Sequence, residues 1–115
     1  MAWGKLLIMN LYNCNPDYIQ NKKKIKEFVT KLCNHINMNK KGSTIIRKFG
    51  KSKLKGFSAI QFIETSSITI HFDETKKRAF IDIFSCKNFN CKKAESFSKK
   101  FFEANKTKTK TIIRK

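Results

Sequence analysis

Apolar residues alternate with polar ones along much of this chain, and a period of two is typical of strands with one buried face. The alternation is clearest over residues 67–72, where Ile68, Ile70 and Phe72 fall on one face. The intervening polar residues, His71 among them, are then expected on the opposite face. Similar runs predict strands over residues 5–12, 43–49, 57–64, 79–85 and 108–114.

Two other segments repeat their apolar residues every three or four positions, as amphipathic helices do. In the first, Asn15 can cap a helix and Pro16 suits its first position, and the pattern continues to about Met38. Its apolar face is Ile25, Phe28, Val29, Leu32 and Ile36. The second helix is predicted to begin after Asn90, and its apolar face is Ala94, Phe97 and Phe101.

The element order β-α-β-β-β-β-α-β predicts an α+β fold. We expect a two-layer sandwich in which two helices cover one face of a mostly antiparallel sheet. A length of 115 residues is typical of one domain, so residues 1–115 are predicted to form a single domain. Although its end can form a strand, the basic tail from Lys106 is expected to fray.

The lack of a recognisable targeting signal and the cysteine pattern predict an intracellular protein. No apolar run approaches the ~20 residues of a membrane span, and Leu6-Leu-Ile-Met9 is too short for a signal-peptide core. We therefore expect a cytoplasmic protein with no membrane partner. The four cysteines match no zinc-ligand spacing, so no metal is expected and reduced thiols are favoured over disulfides. Cys33, on the apolar side of the first helix, is predicted to be a core residue.

The net charge is +18, from 26 basic and 8 acidic residues, and only three of the basic residues are arginine. Such a charge can bind nucleic acid. Readers of nucleic acid, however, tend to use arginine for bidentate base contacts, and no recognition motif accompanies the charge. A solvated lysine-rich surface is favoured, and nucleic acid is not expected as a partner. A nucleic-acid-binding module stays open as the last alternative, with an affinity that falls steeply with salt.

Four reactive side chains lie on the predicted strands or beside them: Ser58, Ser66, His71 and Cys86. Together they are enough for a peptide bond to cut itself and for the cut end to become an electrophile. Their spacing resembles the short bacterial and archaeal S-adenosylmethionine decarboxylases, which are self-processing pyruvoyl enzymes. In that family a serine eight positions before the cleavage serine and a histidine five after it assist processing, and this chain reproduces both intervals. The family's proton donor in decarboxylation is a cysteine twenty positions after the cleavage serine, which is also matched.

The resemblance implies a role for each of these residues. Ser66 would be the cleavage serine, Ser58 and His71 would assist processing, and Cys86 would be the general acid. Cys14, after Leu-Tyr-Asn, resembles a cysteine that often ends the family's first strand.

Self-cleavage would turn Ser66 into the cofactor. Its hydroxyl would attack the Thr65 carbonyl, and elimination and hydrolysis would leave a pyruvoyl group at the start of the second fragment. The chain would then consist of residues 1–65 and 66–115. The pyruvoyl ketone would form a Schiff base with a substrate amine and serve as the electron sink.

This chain departs from the family around the cleavage serine. The family cleaves within Glu-Ser-His, which is Thr65-Ser66-Ser67 here. An aromatic-proline-glutamate run after the family's histidine is Phe72-Asp-Glu-Thr75 in this chain. The ring that stacks on adenine is therefore expected to be replaced, and Phe49 and Phe72 are the candidate substitutes.

Four of the eight acidic residues fall within residues 64–82, namely Glu64, Asp73, Glu74 and Asp82. We expect them to form a local acidic patch that offsets the repulsion between a basic surface and a cationic substrate. Such a patch would suit the sulfonium of S-adenosylmethionine, and it would equally suit a basic amino acid such as ornithine or arginine.

Three functions are open besides nucleic-acid binding. The first is decarboxylation of S-adenosylmethionine to the aminopropyl donor for spermidine biosynthesis. The second is pyruvoyl-dependent decarboxylation of a basic amino acid. The third is a non-catalytic partner subunit of the same fold, which the changed residues Thr65 and Ser67 favour. Because short family members usually pair, the resemblance also implies a homodimer with sites near the subunit contact.

Overall fold

One six-stranded antiparallel sheet organises the chain in the computed structural model, which describes residues 3–115. The strands are β1 (Gly4–Tyr12), β2 (Ile45–Phe49), β3 (Gly56–Ile63), β4 (Ser66–Asp73), β5 (Arg78–Ser85) and β6 (Lys106–Arg114). The helices are α1 (Pro16–Ile19), α2 (Lys22–His35) and α3 (Cys91–Phe101), with a short 3-10 turn at Ser52–Leu54. The sheet order is β2-β3-β4-β5-β1-β6, and every neighbouring pair is antiparallel. The predicted α+β class is confirmed.

The two main helices cover one face of the sheet. Alternate residues of each central strand are buried there, and they include Leu7, Met9, Leu11, Ile68, Ile70, Ile81 and Ile83. Phe28 of α2 lies at the centre of this core, with its ring centroid 4.6 Å from that of Phe102. The alternation predicted for residues 67–72 is confirmed, since Ile68, Ile70 and Phe72 are buried and His71 is exposed.

The face away from the helices is here called the open face. Its side chains include Ile45, Phe49, Ile60, Phe62, Ser67, Thr69 and His71, which alternate with the buried ones. Several are large and apolar yet exposed, among them Phe62 at 57% and Phe49 at 59%. The structure is therefore a two-layer sandwich, with an outer sheet surface that is partly hydrophobic.

The first helical segment is divided, and the prediction of one helix from Asn15 to Met38 is wrong. Asn15 caps α1 by accepting a hydrogen bond from the Asp17 amide. The chain is then capped again at Asn21, whose side chain accepts from the Lys24 amide at the start of α2. Asparagine favours such caps over a helix interior because its side chain competes for backbone hydrogen bonds. Helix α2 ends at His35, and Asn37 then takes a left-handed φ of 57°.

The basic tail does not fray at Lys106, contrary to expectation. Strand β6 pairs with β1 along its whole length, from Gly4 opposite Arg114 to Tyr12 opposite Lys106. Thr107 of β6 also donates a hydrogen bond to Glu95 of α3, at 2.5 Å, on the helix side. Lysine on this edge strand discourages pairing with another chain. Within residues 3–115, no helix is long and apolar enough to cross a membrane.

Candidate active site

Ser58 and His71 form a hydrogen-bonded pair on the open face. Ser58 lies on β3 directly opposite His71 on β4, and its Oγ is 2.9 Å from His71 Nδ1. A serine hydroxyl that is hydrogen-bonded to an imidazole can take part in general acid–base catalysis. Sequence reasoning placed both residues on neighbouring strands, and the hairpin register brings them together.

Ser66 and Cys86 lie together at the other end of β4. Ser66 begins β4 opposite Ser85, the last residue of β5, and the two hydroxyl oxygens are 2.7 Å apart. Cys86 follows β5, and its thiol donates to Thr65 Oγ1 at 2.9 Å. The Cys86 amide also donates to the Thr65 carbonyl oxygen, at 3.4 Å. We call these four residues, Thr65, Ser66, Ser85 and Cys86, the cleavage end, after the self-cleavage expected at Ser66.

Within one chain, the cleavage end and the Ser58–His71 pair are far apart. Ser66 and His71 are five residues apart on one strand, which at about 3.3 Å per residue separates them by about 16 Å. Their side chains also point to opposite faces, since the Ser66 hydroxyl bonds Ser85 on the helix side. The structure therefore divides the four predicted site residues into two groups of two.

The backbone is strained at the cleavage end. Glu64 and Thr65 make the tight turn between β3 and β4, and Thr65 has a φ of 57°. A β-branched residue rarely adopts this left-handed conformation, which glycine or asparagine normally supplies in turns. Such an outlier costs about 1–3 kcal/mol and is common at functional sites. Thr65 provides the carbonyl of the peptide bond that precedes Ser66.

Cavities lie beside both groups. A cavity of about 560 Å³ lies over Ser58 and His71, with Phe49 and Ile60 on its wall. A neighbouring cavity of about 450 Å³ is lined by Leu54, Arg78 and Phe80, among others, and also reaches His71. A smaller one of about 240 Å³ touches Thr65 and Ser66, where Lys41 and Lys87 also line it.

Comparison with known proteins identifies the family. The sequence profile of S-adenosylmethionine decarboxylase matches residues 5–115. The chain belongs to the S-adenosylmethionine decarboxylase family. One relative, from Clostridium botulinum (strain Loch Maree / Type A3), is described as an S-adenosylmethionine decarboxylase proenzyme. It is 34% identical over 113 residues, covering 96% of this chain and 93% of the relative.

Other members of the S-adenosylmethionine decarboxylase family agree with that assignment. A proenzyme from Clostridium botulinum (strain Langeland / NCTC 10281 / Type F) is 31% identical over 112 residues, covering 96% of this chain and 93% of the relative. The crystal structure of the adenosylmethionine decarboxylase from Aquifex aeolicus superposes with a TM-score of 0.82 at 17% identity. That superposition covers 98% of this chain and 91% of the other, so the fold is shared. The family predicted from the spacing of four residues is thereby confirmed.

Of the two rings considered as substitutes for the aromatic residue of the decarboxylase family, one is ruled out. Phe72 is 5% exposed and its ring packs edge-on to Phe102, at a centroid distance of 5.4 Å, inside the core. The prediction that Phe72 could stack on adenine was therefore wrong, because strand alternation places Phe72 on the same face as Ile70. Phe49 is exposed on the open face beside the Ser58–His71 cavity.

Three of the four carboxylates expected to form an acidic patch are paired with basic side chains instead. Glu64 lies 3.6 Å from the Lys41 ammonium, and Glu74 lies 2.9 Å from that of Lys48. Each charge is thus balanced locally rather than left to attract a cationic ligand. The expectation failed because sequence position alone does not show which lysine a carboxylate meets.

Asp73 is balanced in the same way. Both Nε and Nη2 of Arg78 donate to its Oδ2, at 2.9 and 2.7 Å. Partial burial would raise the pKa of Asp73, but the hydrogen bonds and charge of Arg78 and the Lys76 amide outweigh it and lower that pKa. Asp73 and Arg78 together form a fixed wall of the cavity beside His71.

The cysteines divide into inert and accessible thiols. Cys14 is 1% exposed, and burial raises its pKa to about 12, although a backbone hydrogen bond from Ala79 opposes this. Cys33 is buried in α2 as predicted, and desolvation likewise raises its pKa. Cys86 is exposed, and all four thiols are free. Cys91 is half-buried, so the thiol at the cleavage end is the most accessible of the four.

Ser85 and the conformation of Thr65 are the features that sequence reasoning missed. A signal for Ser85 was present, because it continues the alternation of Ile81 and Ile83 onto the core face. A serine in such a position, opposite Ser66 in the hairpin, needs a hydrogen-bond partner. Nothing in the sequence indicated that Thr65 would take a left-handed turn position.

Proposed function

We propose that this chain is the proenzyme of a pyruvoyl-dependent decarboxylase that acts on S-adenosylmethionine. It would cut itself between Thr65 and Ser66 and then make the aminopropyl donor for spermidine synthesis. Two sets of facts support this, namely the names of its curated relatives and the local geometry of the Thr65–Ser66 bond. The observation that carries the proposal is a strained residue, Thr65, placed between the Ser66 hydroxyl that would attack it and the Cys86 thiol.

The proposed cleavage reaction needs only side chains of this protein and water. Ser66 Oγ attacks the Thr65 carbonyl carbon, the C–N bond breaks, and the Ser66 nitrogen takes a proton, giving an ester and a free amine. Loss of the Ser66 Cα proton then expels Thr65 as a carboxylate. Hydrolysis of the remaining enamine releases ammonia and leaves a keto group at residue 66. Release of the left-handed strain at Thr65 favours the first step.

The residues around Ser66 suit a pyruvoyl group. Ser66 adjoins a cavity of about 240 Å³, and the accessible thiol of Cys86 is hydrogen-bonded to the preceding residue, Thr65. When present, the group supplies a ketone that binds the substrate amine and accepts the electron pair released with carbon dioxide. Cys86 would hold the proton that is returned to the substrate carbon, as a general acid does.

Ser58 and His71 are too far from Ser66 to act within one chain, and we propose that a homodimer brings them to it. The Ser58–His71 pair of one protomer would lie beside the Thr65–Ser66 bond of its partner, with the open faces in contact. Exposed apolar side chains favour this arrangement, since Phe62, Phe49 and Ile60 are 57%, 59% and 40% exposed. Cys86 follows the open-face residue Phe84 by two, so its thiol would meet the partner's imidazole on the same side.

The hypothesis that the substrate is a basic amino acid loses its main support. Asp73 and Glu74 motivated that alternative, and both are occupied by basic partners in this structure. S-adenosylmethionine is therefore the substrate we propose, with Phe49 as the ring available to its adenine.

Release of labelled carbon dioxide tests the activity. Purified protein should release it from carboxyl-labelled S-adenosylmethionine, and not from ornithine or arginine at equal concentration. The Ser66→Ala variant should release none, whereas Ser67→Ala, altered at the adjacent serine, should stay active. Release from ornithine or arginine instead would overturn the substrate, and equal release by Ser66→Ala would overturn the mechanism.

A further inference from the structure

The hydroxyl of Ser85 touches that of Ser66 and has no part in the chemistry described so far. The two residues are register partners at the adjoining ends of β5 and β4, and their oxygens are 2.7 Å apart. This separation is typical of a good O–H···O hydrogen bond. Ser85 is 0% exposed, so water does not reach its hydroxyl.

A second donor fixes the Ser85 oxygen in place. The backbone amide of Lys87 donates to it at 2.9 Å, while Ser66 donates from the other side. A hydroxyl oxygen has two acceptor positions, and both are then used. The Ser85 oxygen cannot turn away without breaking the hydrogen bond from the Lys87 amide, so it offers Ser66 an acceptor at a constant position.

A fixed acceptor matters because Ser66 must attack from one direction. An unrestrained serine samples three staggered rotamers, and its hydroxyl oxygen is correctly placed in only some of them. With its proton directed at Ser85, Ser66 also keeps its lone pairs free to face the Thr65 carbonyl. Correct placement of reacting groups is worth large factors in rate, and an error of about 1 Å can cost about 100-fold.

We propose that Ser85 is a positioning residue for self-cleavage, holding the Ser66 hydroxyl in the rotamer from which it attacks Thr65. This inference rests on the proposed self-cleavage at Thr65–Ser66. Ser85 itself forms no bond in the reaction. A serine that served only to complete the end of β5 would affect stability and leave the cleavage rate unchanged.

Cleavage of freshly refolded protein, followed by intact mass, separates these roles. Ser85→Thr keeps a hydroxyl, and Ser85→Val introduces a side chain with the shape of threonine but no hydroxyl. Comparison of the two variants therefore isolates the hydrogen bond. Ser98→Ala is the matched control, because Ser98 is also 0% exposed and its hydroxyl has no partner among the residues that the structure describes. We expect Ser85→Val to slow cleavage by about tenfold or more, and Ser85→Thr and Ser98→Ala to cleave like the wild type.

Hydroxylamine identifies the step that Ser85 affects. It cleaves an accumulated ester, so it would speed fragment formation in a variant that is blocked after the acyl shift. It would not speed fragment formation in a variant that is blocked before that shift. We expect no acceleration of Ser85→Val. Equal rates for Ser85→Val and the wild type, or equal slowing of the threonine and valine variants, would overturn the role of Ser85 alone. A wild-type chain that never cleaves would instead overturn the proposed function, and this inference with it.

Discussion

The cleavage end and the Ser58–His71 pair lie on the same two-layer fold but are built differently. At the cleavage end, a strained turn, two buried or half-buried hydroxyls and a thiol meet within one chain. The Ser58–His71 pair lies on regular strands, under broad cavities and among exposed apolar side chains. The contrast fits the proposed function, in which the Thr65–Ser66 bond is prepared by its own protomer and the Ser58–His71 pair reaches it from a second copy.

The largest effect should come from removing the thiol at the cleavage end. Cys86→Ala should lower decarboxylation by about 100- to 10,000-fold, the usual contribution of a general acid. Labelled carbon dioxide release measures this, on protein whose cleavage has been checked by mass. Cys91→Ala, which removes another thiol that is not buried, is the control and should retain activity. A Cys86→Ala enzyme with wild-type turnover would remove Cys86 from the mechanism.

Loss of the imidazole should slow cleavage by about 100-fold or more in His71→Ala, because proton transfer to and from the reacting groups is then unassisted. The defect should be repaired in trans. When His71→Ala and Ser66→Ala chains are refolded together, the His71→Ala chain should be cut, since its partner supplies the imidazole. Fragment masses distinguish the two chains.

Each variant refolded alone is the control for this repair, and sedimentation should show a dimer in all three samples. Absence of repair in a mixture that forms mixed dimers would contradict the sharing of groups between protomers.

Relief of the strained turn should have a smaller effect. Thr65→Gly removes a conformational cost of about 1–3 kcal/mol, so it should raise stability and slow cleavage by about tenfold. Lys77→Gly is a matched control, because Lys77 also has a left-handed φ, 55°, in the turn between β4 and β5. It should stabilise the fold in thermal melts without changing cleavage. Faster cleavage in Thr65→Gly would show that strain is not used.

The smallest effect concerns the wall beside His71. The folded-state pKa of Asp73 is lowered from 3.8, so its pairing with Arg78 stabilises the fold above that pH and is lost as pH falls through the lower value. Asp73→Asn should cost about 1 kcal/mol at neutral pH and flatten the acid limb of the stability profile. Arg78→Gln should flatten it in the same way. An unchanged acid limb in either variant would show that the pair contributes nothing.

The strands could be predicted from the sequence because apolar and polar residues must alternate along a half-buried antiparallel strand. That rule located β3, β4 and β5 within one or two residues, and it assigned His71 to the solvent side. It also put Phe72 on the core face, so its proposal as a stacking ring conflicted with a pattern already in hand. The break at Asn21 was missed because the helix was extended back to the Asn15 cap across residues 20–24, none of which is apolar. A second local cap at Asn21 decides the boundary.

The site was predicted only in its parts. Sequence intervals gave the right family and named four side chains to examine, but an interval does not show which residues meet. Hairpin register places Ser58 against His71 and leaves Ser66 about 16 Å along the strand. The partners of Glu64, Asp73 and Glu74 also depend on tertiary contacts, so the expected acidic patch could not be judged from their clustering in the sequence.

Self-cleavage at the bond between Thr65 and Ser66 is the central claim, and the intact mass of freshly folded protein tests it most directly. The account predicts that one chain is converted with time into fragments 1–65 and 66–115, with the second carrying a keto group in place of its serine amine. A single uncut chain after long incubation, with Ser66 unmodified and no ester trapped by hydroxylamine, would contradict it.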